Sequence, residues 1–116
     1  MSRDWLLYLD DLIASAEKIG RLVANRDLEA LRLDEAAFDA VLFNLQVIGE
    51  AFKKLPPEQL LQIPEEHRRG PARLRDLIAH HYFAIDASII FDAATRHVPA
   101  LLAHATALRD RAEGEP

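Results

Sequence analysis

Apolar side chains recur every three or four residues along nearly all of this chain and nowhere alternate with polar ones at a spacing of two. That regularity excludes a half-buried strand, whose faces alternate residue by residue, and predicts helices that each pack through one face. In the first segment the series is Trp5, Leu6, Leu9, Leu12, Ile13, Ala16, Ile19 and Val23. Ser2 is placed to cap it, Asp4 falls in the first turn where the helix dipole favours an acid, and the pattern fades near residues 25–27. A short helical turn is expected over residues 27–31. Asp34 then caps a second long helix, on which Phe38, Val41, Leu45, Ile48, Phe52 and Leu55 alternate steps of three and four. Such a seam packs against another helix, either in the same chain or in a second copy.

Pro56 and Pro57 end that helix, and residues 58–72 read as a connector holding a short apolar piece, Leu60, Leu61 and Ile63. A further helix is expected from Leu77 to about Arg96, and a last one from about Pro99 to a frayed acidic end. The expectation is an all-α antiparallel bundle of four main helices plus a short extra helix. At 116 residues, positions 1–116 read as one domain, on a prior of about 100–200 residues per domain.

Composition removes several chemistries. The chain has no cysteine, so a disulfide framework, a thiolate zinc site and a cysteine nucleophile are excluded. Its glycines, Gly20, Gly49, Gly70 and Gly114, are scattered singly, so no phosphate-cradling loop exists. The histidines, His67, His80, His81, His97 and His104, form no metal-ligand motif; His97 and His104 are seven apart, but Pro99 interrupts them. No metal and no cofactor are expected. The longest run without a charged residue, His97–Leu108, is twelve residues, short of the roughly 18–20 that span a bilayer. Asp4, Asp10 and Asp11 do not fit a secretory signal, so the expected setting is cytoplasmic, away from membranes.

The net charge is −5, but it is unevenly spread. The segment His67–Arg75 holds Arg68, Arg69, Arg73 and Arg75 with no acid. An acidic protein binds nucleic acid poorly without specificity, because phosphate contacts supply most of that affinity. This one segment is either a solvated basic turn or a place that holds a few phosphates. Directly after it comes Arg75-Asp76-Leu77-Ile78-Ala79-His80-His81-Tyr82. By themselves these residues also describe two half-buried helix positions, His81 and Tyr82, beside a surface charge, Arg75.

The pattern Arg-x4-His-x-Tyr resembles the signature of the HEPN superfamily, in particular the HepT-like toxins paired with minimal nucleotidyltransferases. The likeness is spread from about residue 36 to residue 103. Leu45-Gln46-Val47-Ile48-Gly49-Glu50-Ala51 resembles the family's stretch on its second helix. Tyr82-Phe83-Ala84-Ile85-Asp86 resembles the segment that follows its histidine, and Val98-Pro99-Ala100-Leu101-Leu102 the opening of its last helix. Asp76 departs from the family's usual asparagine. The resemblance implies a HEPN-like bundle acting as a homodimer, and a metal-independent endoribonuclease toxin with RNA as substrate. It also implies a cognate nucleotidyltransferase antitoxin that attaches AMP to the motif tyrosine. Carried over by position, Arg75 and His80 are the catalytic candidates and Tyr82 the modification site, with Asp76, Glu50 and His81 as possible support of the cleft. A non-catalytic helical partner that docks the transferase is the alternative.

In one continuous α-helix, Arg75 and Tyr82 lie within about 20° of each other, whereas His80 lies about 140° from Arg75 and about 160° from Tyr82. Such groups cannot converge on one phosphate. Asp76 as an N-cap would release Arg75 onto the preceding turn. Alternatively, a two-fold dimer would bring two motifs together, with the Phe38–Leu55 seam as one candidate surface. Gly49, a costly residue in mid-helix, is expected to admit a neighbouring helix, and Glu50 either faces the motif and pairs with Arg75 or forms a solvated salt bridge.

Overall fold

A computed structural model describes residues 4–114. The order is α1 (Trp5–Val23), α2 (Leu28–Leu33), α3 (Glu35–Lys53), α4 (Pro57–Leu60), a 3-10 turn (Glu65–His67) and α5 (Gly70–His81). A second 3-10 turn (Tyr82–Ala84), α6 (Ala87–Asp92), a π-helical turn (Ala93–His97) and α7 (Val98–Glu113) complete it. No strand occurs among the described residues, and the architecture is an all-α, HEPN-like bundle. The four long helices are α1, α3, α5 and α7. The first packs against α3 and α7, and α3 in turn carries α5.

Each helix sits where its sequence starts and stops it. Asp27 Oδ1 accepts the Ala30 N–H at 2.8 Å and opens α2. Asp34 Oδ1 accepts the Ala37 N–H at 3.1 Å and opens α3, while its other oxygen takes Arg26 Nη1 at 2.9 Å. The Ala37 N–H, and then Arg26, hold the Asp34 carboxyl below its ordinary pKa. After α1 the chain turns through Asn25 at φ 61°, a left-handed conformation that asparagine tolerates better than most residues.

The α3 seam turns inward: Val41, Leu45, Ile48, Phe52 and Leu55 are buried and Phe38 packs at their edge. They meet Leu9, Leu12 and Ile19 of α1 and Leu108 of α7 in one contiguous core. The seam is therefore intrachain core and is not a surface for a second copy.

Three expectations change. The helix expected from Leu77 to Arg96 starts earlier, at Gly70, and stops at His81. Pro71 stands in the first turn of α5, where its missing N–H costs nothing and its fixed φ favours the helix. Asp86 interrupts the other end, its Oδ1 accepting both the Ser88 N–H at 2.9 Å and the Ser88 hydroxyl at 2.7 Å, so a new helix begins there. The connector over residues 58–72 contains α4, a 3-10 turn and the start of α5. Ser2 lies outside the described residues; α1 begins behind Asp4.

No described helix is long and apolar enough to cross a membrane. Helix α5 is held by little apolar anchorage, since Ile78 is its one fully buried side chain. Ile78→Ala is expected to cost about 2–5 kcal/mol of stability, read as a lower urea midpoint with an unchanged denaturant slope.

Candidate functional site

The site is built on the contact between α3 and α5. A Cβ added at Gly49 would lie 2.4 Å from Arg75 Cβ and 2.7 Å from the Pro71 carbonyl oxygen. Only glycine lets the two backbones approach this closely. The contact presses the Arg75 stem onto α3, leaving its side chain about one-third exposed at 34%. From there the guanidinium reaches two acids. Its Nε lies 3.3 Å from Glu50 Oε2, and its Nη1 donates to Asp76 Oδ1 at 3.2 Å. Lys53 Nζ donates to the same Asp76 oxygen, also at 3.2 Å. Lys53 first and Arg75 second draw the Asp76 carboxyl below its ordinary pKa.

Asp76 is therefore not an N-cap. It lies inside α5, and its carboxylate is taken by side chains rather than by the backbone N–H groups of a new helix. The reason is the early start of the helix at Gly70, which places Arg75 and His80 on one uninterrupted α-helix. The separation of about 140° between them consequently stands. Arg75 faces α3, while His80 is exposed and makes no hydrogen bond or ion pair with any described residue. His81 is exposed as well. The half-buried member of the motif is thus the arginine, and the histidines and Tyr82 are the exposed ones.

Tyr82 leaves α5 on the 3-10 turn, and its hydroxyl donates to Asp39 Oδ1 of α3 at 2.9 Å. That hydrogen bond, with the carboxylate's negative charge nearby, pushes the phenol above its ordinary pKa. The Tyr82 ring meets Phe83 edge-on, 5.2 Å between centroids. Within one chain the motif thus falls into three separate places: Arg75 with Glu50, Asp76 and Lys53; Tyr82 with Asp39; and His80 alone.

The arginine run does not form one patch. Arg69 pairs with Glu65 at 2.9 Å, Arg75 is engaged as described, and Arg68 buries its Nε without a partner. Arg73 is exposed, and its side chain pairs with no described residue. His97 Nε2 lies 3.2 Å from Asp92 Oδ2, whereas the His104 ring sits 5.2 Å from His67. Among the described residues, no group of three or more histidine, aspartate or glutamate side chains is arranged to hold a metal ion.

Sequence reasoning missed Asp39 and Lys53. Asp39 meets Tyr82 across 43 positions and Lys53 meets Asp76 across 23, so no local spacing could have signalled either.

A family model described as Ribonuclease HepT-like matches residues 12–108. A protein of Methanocaldococcus jannaschii named "Putative RNase" is 34% identical over 97 residues, covering 84% of this chain and 80% of the relative. A protein of Thermococcus cleftensis named "Probable ribonuclease HepT" is 31% identical over 101 residues, covering 87% and 92%. No solved structure matches the chain at a significant level.

The two helix glycines give opposite expectations. Gly20 has open space around it, so Gly20→Ala is expected to stabilise by about 0.5–1 kcal/mol through helix propensity. Gly49→Ala gains the same propensity but forces α3 and α5 apart, and a net loss of about 1–3 kcal/mol is expected. Denaturation of both variants alongside the parent checks this.

Proposed function

The chain belongs to the ribonuclease HepT-like family, and from that membership we propose that it is an endoribonuclease toxin that cuts RNA without a metal ion. Its partner in this reading is a nucleotidyltransferase antitoxin that silences it by attaching AMP to Tyr82. The observation that carries the cleavage reading is an exposed, unpartnered imidazole, His80, on the same helix as an arginine fixed by two carboxylates.

RNA cleavage of this kind uses the 2′-OH as nucleophile. A base takes its proton, the 2′-oxygen bonds to phosphorus, the bond from phosphorus to the 5′-oxygen breaks, and an acid returns a proton to that oxygen. Histidine titrates close to neutrality and suits either role. Charge on the crowded phosphorane requires a cation with directed donors. Arg75 uses Nε and Nη1 on Glu50 and Asp76, which leaves Nη2 to grip a phosphate oxygen. The two acids hold the guanidinium in place, and they also weaken its pull on an anion, so Arg75 binds phosphate only where it is well aligned. DNA lacks the 2′-OH and is not a substrate.

A homodimer supplies what one chain lacks. Arg75 and His80 point to different sides of α5, so the base, the acid and the cation meet only if two copies of the helix face each other across one cleft. A two-fold arrangement gives that cleft two histidines and two arginines.

The Tyr82 phenol serves as acceptor in the transfer. Its oxygen attacks the α-phosphorus of a nucleoside triphosphate, pyrophosphate leaves, and Asp39, hydrogen-bonded to it at 2.9 Å, is the group placed to take the proton. The added phosphate brings negative charge and bulk next to the cleft, opposing RNA on both counts.

His80→Ala is expected to abolish RNA cleavage with the circular dichroism spectrum unchanged, and cleavage by the parent is expected to persist in EDTA. A His80→Ala protein that cuts as fast as the parent would favour the docking-partner reading, and activity lost in EDTA and restored by a divalent ion would remove the metal-free mechanism. Coexpression with the transferase is expected to add AMP to Tyr82 and to lower cleavage, while Tyr82→Phe keeps cleavage and escapes control. Intact-mass and peptide spectra decide this second point.

A further inference from the structure

Between α3, α5 and α7 lies a cavity of about 330 Å³, a volume in the range of small-molecule sites. Leu45 and Ile48 of α3, Leu74 and Leu77 of α5 and Leu101 of α7 form its apolar walls. An apolar cavity of about 150 Å³ takes up benzene, so one of this size holds an apolar body of about ten carbon atoms. The π-helical turn joins the lining through Ala93 and His97. Its hydrogen bond runs from the Val98 N–H to the Ala93 carbonyl, five residues back, and such wide turns are rare and recur at functional sites. Glu66, His67, Arg73 and His97 also line the cavity. All four are exposed or half-buried, whereas Leu45, Ile48 and Leu101 are buried. The polar groups therefore stand at the opening and the aliphatic ones at the floor.

Charge at the opening is not balanced. The Glu66 carboxylate lies 3.6 Å from His67 Nε2, and His97 Nε2 lies 3.2 Å from Asp92 Oδ2. Each acid there has an imidazole beside it, whereas the Arg73 side chain pairs with no described residue. We propose that the cavity binds a small amphipathic anion, with its apolar tail among the aliphatic walls and a carboxylate head on Arg73. A guanidinium meets a carboxylate through two parallel N–H groups, which suits it to such a head. Burial of the tail supplies the affinity, and the head fixes the direction of entry. A nucleotide fits the cavity poorly, because apolar walls would leave the base's edge donors and acceptors unpaired. A cationic amphipath would meet Arg73 with like charge. Leu74 and Leu77 belong to α5, whose one fully buried side chain is Ile78. A bound tail therefore adds to the sparse apolar anchorage of the helix that carries Arg75 and His80.

The test uses the purified chain with decanoate, decanol and decyltrimethylammonium, each below micelle formation, read by titration calorimetry and thermal unfolding. Decanoate is expected to bind once per chain and to raise Tm by a few degrees. Decanol is expected to bind more weakly, and the ammonium compound not to bind. Arg73→Glu is expected to lower decanoate affinity about tenfold, as loss of one charge-assisted hydrogen bond does, and to leave decanol affinity unchanged. Ala93→Leu, which extends a side chain from the π-helical turn into the cavity, is expected to abolish binding of both. Phe83→Ser, which removes a ring that is 99% exposed outside the cavity, is expected to alter neither. None of these measurements depends on RNA cleavage. Failure of decanoate and decanol to bind the parent overturns the proposal, as does decanoate binding that persists undiminished in a folded Ala93→Leu protein. Equal decanoate affinity in Arg73→Glu, or equal binding of the ammonium compound, overturns the carboxylate head. Loss of decanoate binding in Phe83→Ser would assign the tail to that exposed ring and overturn the cavity as its site.

Discussion

The close approach of α3 and α5 at Gly49 is the constraint on which the rest of the site depends. With no side chain there, the Arg75 stem and the Pro71 carbonyl lie directly on the α3 backbone. That proximity brings Glu50 and Lys53, one position and one turn farther along α3, within reach of Arg75 and Asp76. Farther back on α3, Asp39 takes the Tyr82 hydroxyl. One helix thus serves as the rail along which Arg75, Asp76 and Tyr82 are fixed. The buried seam of the same helix, from Val41 to Leu55, fixes the rail itself to the core.

Electrostatically the arrangement is a compromise. Two carboxylates orient the Arg75 guanidinium while partly satisfying it, and a lysine shares one of those carboxylates. Exposed pairs of this kind contribute little to stability; their consequence here is direction. They hold the arginine facing α3, leaving His80 alone on the far side of α5. The proposed cleavage needs those two groups on one phosphate, which is why it is assigned to a pair of chains.

The chain itself was informative about local matters. Steps of three and four identified α1, α3 and α7, and Asp34 announced the start of α3 because capping is a contact between residues three apart. Gly49 stood out because glycine in mid-helix is costly unless something occupies the space of its missing side chain. The same local rules misled where two signals competed. Pro71 looked like part of a connector, yet proline suits a first helical turn as well as a loop. Asp76 was a reasonable cap by type, and the early start of α5 left it no free backbone N–H to cap. Asp86, lost inside a long apolar stretch, broke the expected helix.

What the sequence by itself determined is therefore the helical class, the starts of α2, α3 and α7 to within a residue or so, and the residues Arg75, His80 and Tyr82 in their order, since periodicity, capping and motif spacing all act within a few residues. Tertiary structure decided which way those residues face. It made the α3 seam core rather than interface, gave Arg75 to Glu50 and Asp76, gave Tyr82 to Asp39, and left His80 and Phe83 in solvent. Those outcomes depend on contacts between segments far apart in the chain, the Tyr82–Asp39 pair spanning 43 positions. Such contacts follow from how helices pack, a property of the whole core that no local spacing records.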